Sequence, residues 1–86
     1  MDFINDKVIA QKGYKHAVEA KCFQKEGNFV SLWESKGNDL IGRHYLSKIK
    51  GFYVFGAIGG VLFCRLAGDL IDGIKLFNEF VATIKA

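Results

Sequence analysis

The most apolar part of the chain is a run of 14 uncharged residues that begins at Gly51. As an α-helix this run would be about 21 Å long, which is too short to cross the ~30 Å hydrocarbon core of a bilayer. Two adjacent glycines, Gly59 and Gly60, divide the run into two β-prone halves, as a two-residue hairpin turn would. The sequence therefore predicts a buried β-hairpin over residues 52–67 and no membrane span.

A C-terminal helix is predicted over residues 69–85. Asp69 is the expected N-cap, and Asp72 follows it three residues later. Apolar side chains then recur at spacings of three and four, the period of an amphipathic helix, at Leu70, Ile74, Phe77, Val81 and Ile84. Leu76 and Phe80 widen this apolar face beyond the stripe that contact with one sheet requires. Either the helix is sunk deeply into its own sheet, or its wide edge contacts a partner.

The first of two Gly-Asn pairs predicts a hairpin over residues 14–36. With Gly27 and Asn28 as the turn, Lys21 faces Glu34, and opposite charges at such positions stabilise a sheet. The face expected to meet the core is the one that carries Phe29, Ser31 and Trp33. The opposite face of this hairpin is therefore predicted to be exposed.

The second Gly-Asn pair, ten residues later, predicts a hairpin over residues 29–46 in which Trp33 lies opposite Gly42. An aromatic ring over a cross-strand glycine is a plausible fit in a sheet. Residues 39–50 also fit a short helix that ends at Gly51. The hairpin pattern and the interior glycine favour the strand.

Together these elements predict an α+β fold: an antiparallel β-meander of about five strands, with the C-terminal amphipathic helix packed on one face. The chain of 86 residues is expected to form a single domain, 1–86. Residues 3–12 fit either a short N-terminal helix or a strand. A domain of this size buries only ~60% of its unfolded surface, and self-association adds buried area, so a homodimer is expected.

The residues that could carry chemistry do not form a recognisable site. Cys22 and Cys64 fall in predicted strand interiors, where reduced buried thiols are expected, and this fits a cytoplasmic protein. His16 and His44 form no close ligand pair with either cysteine, so no metal site is expected. No glycine pattern matches a phosphate or dinucleotide loop. We expect no catalytic residue, no cofactor and no small-molecule substrate.

Positive charge is concentrated in the first part of the chain. The net charge of the whole chain is +3, yet residues 7–50 hold nine Lys or Arg against four Asp or Glu. Basic side chains interleaved with aromatic ones are typical of sheets that bind RNA or single-stranded DNA. This alternative function would use Lys12, Lys15, Lys21, Lys25, Lys36, Arg43, Lys48 and Lys50.

The favoured interpretation is a small non-enzymatic protein-interaction module that binds and blocks or regulates a larger partner. The predicted contact residues are apolar side chains on the expected outward face and on the helix edge: Phe23, Leu32, Ile41, Tyr45, Leu76 and Phe80. Ile, Phe, Asn and Lys together make up 30 residues, and A/T-rich codons supply these types. Such a composition suggests a phage or mobile-element inhibitor or antitoxin.

Overall fold

Seven strands and one helix follow one another in the computed structural model, which describes residues 15–42 and 45–86. In chain order they are β1 (Lys15–His16), β2 (Val18–Lys25), β3 (Asn28–Ser35), β4 (Asp39–Ile41), β5 (Tyr45–Ser47), β6 (Gly51–Ile58), β7 (Val61–Leu66) and α1 (Leu70–Lys85). The α+β class with a C-terminal helix on a meander is confirmed. The predicted element at residues 3–12 lies outside the described residues.

The main sheet is antiparallel and has the strand order β2-β3-β6-β7. Its β6–β7 hairpin confirms the prediction for residues 52–67, because Ile58 pairs with Val61 around the Gly59-Gly60 turn. The predicted helix is also confirmed. The side chain of Asp69 accepts a hydrogen bond of 2.8 Å from the backbone N–H of Asp72, as an N-cap does.

The register of the first hairpin differs from the prediction. The turn is formed by Glu26 and Gly27, whose φ angles of 53° and 82° are those of a type I′ turn. The pairing therefore shifts by two positions, and Lys21 faces Leu32 instead of Glu34. The predicted cross-strand charge pair does not form.

The predicted hairpin over residues 29–46 is wrong. The second neighbour of β3 is β6, while β4 pairs in parallel with β1 and antiparallel with β5 in a separate three-stranded sheet. The strand interpretation of residues 39–50 is correct only for the short strands β4 and β5.

A hydrogen-bond network holds the chain where it leaves the main sheet. The carboxylate of Asp39 accepts a hydrogen bond of 2.8 Å from the backbone N–H of Lys36. The buried hydroxyls of Ser35 and Ser47 lie 2.5 Å apart, and Ser47 also donates to the carbonyl oxygen of Asp39. These bonds favour a tight local turn over a long hairpin with β3.

The central strands β3 and β6 are buried on both faces. One face meets α1 through Val30, Leu32, Val54, Phe77 and Ile84. The other face meets the smaller sheet through Ala17, Ile41, Tyr53, Phe55 and Cys64. Strands that are covered on both sides have sequences that are apolar almost throughout, and the sequence of β6 is an example. The prediction that one face of the first hairpin is exposed is therefore wrong for its central residues.

The helix packs closely on the main sheet. Gly73 is buried, and a Cβ added there would lie 3.0 Å from a methyl group of Leu32. The absence of a side chain at this position lets the helix backbone approach β3. No helix in the described residues is long and apolar enough to cross a membrane.

Candidate functional site

The structure does not bring the six predicted contact residues together on one surface. Leu32 and Ile41 are 1% and 0% exposed, so the prediction that they face outward is wrong. Leu32 lies under α1, whereas Ile41 lies on the opposite side of the main sheet. Tyr45 is half-buried beside Tyr53, with the ring centroids 5.8 Å apart. Phe23 is half-buried, and the Nζ of Lys85 lies 5.3 Å from its ring centroid.

The broad helix edge is also largely covered by the protein itself. Leu76 and Phe80 are half-buried. The ring of Phe80 stacks on Phe63 of β7, with a centroid separation of 4.2 Å and an interplanar angle of 20°. This geometry favours the first of the two interpretations, in which the wide apolar face serves the helix's own sheet.

The basic residues that the structure describes do not surround an aromatic platform. The six that the structure describes are exposed: Lys15, Lys21, Lys25, Lys36, Lys48 and Lys50. The Nζ of Lys21 lies 5.4 Å from the ring centroid of Phe77, on the helix side of the main sheet. Lys15 and Lys36 instead line a hollow that also contains Glu34 and Asp39. Lys12 and Arg43 lie outside the described residues.

An open groove of about 460 Å³ lies on the face of the main sheet opposite α1. Its aromatic walls are Phe29, Trp33 and Phe55, and Glu19 also lines it. The indole N–H of Trp33 donates a hydrogen bond of 2.7 Å to the hydroxyl of Ser31, which donates to the carbonyl oxygen of Phe55. These polar groups are paired within the protein, so the groove mainly offers apolar contact.

The two cysteines have different environments. Cys64 is buried, and burial raises the pKa of its thiol to about 12, so the group is a neutral thiol at physiological pH. Cys22 is exposed, which corrects the prediction that both thiols are buried. Cys22 on β2 and Cys64 on β7 lie in the same cross-strand row, with β3 and β6 between them. At the usual strand spacing they are about 14 Å apart, which is too far for a disulfide.

The most exposed apolar surface lies where none was predicted. Seven large apolar side chains are exposed among the described residues, and five of them lie in the stretch from residue 61 to residue 71. We call these five the edge patch: Val61, Leu62, Leu66, Leu70 and Ile71. Three belong to β7, which forms an outer edge of the main sheet, and two to the first turn of α1.

Only part of the edge patch can be recognised from the local sequence pattern. The helical period predicts that Leu70 belongs to the buried stripe, but Leu70 is 46% exposed. Ile71, which is not among the predicted contact residues, falls outside that stripe and is 72% exposed, so helical periodicity is the signal that could have found it. The exposure of β7 depends on its position at the edge of the sheet, which the local pattern does not encode.

No group of three or more metal-binding side chains occurs among the described residues. Comparison with protein-family models, with characterised proteins and with solved structures found no match for this chain. The surface of the protein itself is therefore the basis for inferring its function.

Proposed function

We propose that this protein is a non-enzymatic interaction module that binds a larger protein through the edge patch. The observation that carries the proposal is the clustering of exposed apolar side chains on β7 and the first turn of α1. Exposed apolar side chains gathered along one edge of a small protein are typical of a contact site. The proposed action is steric, because binding at this surface would block or regulate the partner without a chemical step.

The exposures of the individual side chains support this assignment. Ile71 and Val61 are 72% and 67% exposed, and Leu62, Leu66 and Leu70 lie between 45% and 48%. Full burial of such a side chain contributes about 1.5–3 kcal/mol, so a partner that covers several of them gains substantial binding free energy. The neighbouring Phe63 stacks on Phe80, and this contact fixes β7 against α1 next to the edge patch.

The chemistry of the thiols agrees with a role that involves no catalysis. Cys64 has a pKa of about 12, so it is not a ready nucleophile at neutral pH. Both thiols are free, and we take the cytoplasm as the working compartment because reduced thiols are the rule there. An inhibitor or antitoxin of a phage or mobile element would act in this steric way.

Binding of RNA or single-stranded DNA is the alternative, and the arrangement of charge supports it less well. Lys21 lies on the helix side of the main sheet, whereas the aromatic groove with Trp33 lies on the other side. Glu19 lines that groove and would repel phosphates.

The test compares capture of proteins from a lysate of the source organism by three immobilised baits. The wild type and Val18→Lys should retain the same partner, because Val18 is 62% exposed on β2, the opposite edge of the sheet. Ile71→Lys should lose that partner, and the retained complex should resist added salt because apolar contacts are weakly screened. Capture that is indifferent to Ile71→Lys would contradict the proposal. Material with high absorbance at 260 nm that nuclease removes would favour the nucleic-acid alternative.

A further inference from the structure

The two outer strands of the main sheet differ in how well they could accept another strand. β2 has a register irregularity between Glu19 and Lys21 and also carries Lys25. Bulges and charged side chains are features by which edge strands resist pairing with other chains. β7 pairs with β6 through six residues without such an irregularity, and its one charged residue is Arg65. Of the two outer strands, β7 is therefore the one suited to strand addition.

The backbone chemistry of this edge restricts what can cover it. No strand pairs with the outer side of β7 in the described part of the chain. An unpaired edge presents a row of N–H and C=O groups, and another extended backbone satisfies such a row. The helix α1 packs mainly over β3 and β6, and it meets β7 through the side chains of Phe80 and Phe63.

We infer that the strand added at this edge is β7 of a second copy, paired antiparallel across a two-fold axis. This inference rests on the proposed function and divides the edge patch: the second copy covers Leu62 and Leu66 on β7, and Leu70 and Ile71 at the start of α1 are left for the larger partner. An axis perpendicular to the sheet keeps both helices on the same side, so residues on the same face of β7 must pair. When the axis passes through Cys64, Leu62 of each copy faces Leu66 of the other. Two four-stranded sheets then join into one of eight strands.

In this register, the side chains on β7 of one copy are complementary to those on β7 of the other copy. Leu62 and Leu66 are 45% and 48% exposed. Leu62 of each copy contacts Leu66 of the other, so the same apolar contact forms twice in the dimer. Arg65 faces Phe63 of the other copy rather than a second arginine, so no like charges are opposed. A foreign strand could satisfy the backbone, but this symmetry of apolar pairs specifically favours a second copy.

The test measures molar mass by light scattering or sedimentation over a wide range of protein concentration. The wild type should be a dimer. Leu62→Glu and Leu66→Lys should each raise the dimer Kd roughly two- to thirtyfold, because each substitution acts twice at a two-fold interface. The double variant Leu62→Glu/Leu66→Lys should recover the dimer, since opposite charges then face each other. Val18→Lys on β2 is the matched control and should leave the Kd unchanged.

Each alternative result has a definite meaning. A wild type that stays monomeric at every concentration overturns the inference, yet it leaves the proposed function intact if capture of another protein still depends on Ile71. A dimer that neither single variant weakens also overturns it. A folded double variant that stays monomeric contradicts the register centred on Cys64. Circular dichroism checks folding, and if Leu62→Glu fails to fold, Leu66→Lys compared with Val18→Lys still tests whether this edge holds the dimer.

Discussion

At the scale of single residues, Gly42 lies against the ring of Phe55, which leaves no room for a side chain at that position. A Cβ added at Gly42 would lie 2.7 Å from a carbon of that ring. The small residue could be recognised from the sequence, whereas its partner depends on how two sheets pack.

Cys64 should make the stability of the protein depend on pH in the alkaline range. Burial raises its pKa from the ordinary value of 9.0 to about 12, so folding favours the neutral thiol. This contribution is fully present below about pH 9 and is lost as the pH rises through 12. Urea unfolding should therefore show a free energy of unfolding that falls above pH 9. In Cys64→Ala the fall should be shallower but still present, because burial also raises the pKa of Tyr53. Equal slopes in both proteins would contradict the assignment.

At the scale of elements, the first hairpin contains a residue that fits its turn poorly. Glu26 has a φ of 53°, a left-handed conformation that costs an ordinary residue about 1–2 kcal/mol, whereas Asn adopts it readily. Glu26→Asn should raise the free energy of unfolding by roughly 1 kcal/mol in thermal or urea unfolding. Glu26→Gln is the control, since it removes the charge without favouring the left-handed conformation. A gain of the same size in both variants would attribute the effect to charge instead.

Elements defined by neighbouring residues could be predicted, whereas those that need distant partners could not. The hairpin over 52–67 follows from its Gly-Gly turn, and the helix follows from its cap and period. For the first turn, both Gly27-Asn28 and the observed Glu26-Gly27 are plausible locally. In the structure Asn28 lies in β3 rather than in the turn. Its side chain accepts a hydrogen bond of 2.9 Å from the backbone N–H of Gly59. This contact joins two hairpin ends that are 31 residues apart in the chain.

At the scale of the whole molecule, layering explains why the predicted contact surface is wrong. A meander with one covered face would leave Leu32 exposed, but β3 and β6 are covered by α1 on one side and by the smaller sheet on the other. Apolar residues on both faces of the central strands are therefore buried inside the protein and cannot contact a partner. Five of the seven exposed large apolar side chains in the described residues lie at the edge, on β7 and the start of α1. Which strand forms that edge is a property of topology and not of any local pattern.

The most direct test of the edge as the binding surface is backbone amide hydrogen exchange, measured at low and high protein concentration. The amides of β7 should exchange more slowly as the concentration rises, because their outward N–H groups become paired across the interface. The amides of β2 provide the control within the same molecule, since that bulged and charged edge should exchange at the same rate throughout. Protection that grows on β2 or around the Trp33 groove, with β7 unchanged, would contradict the account.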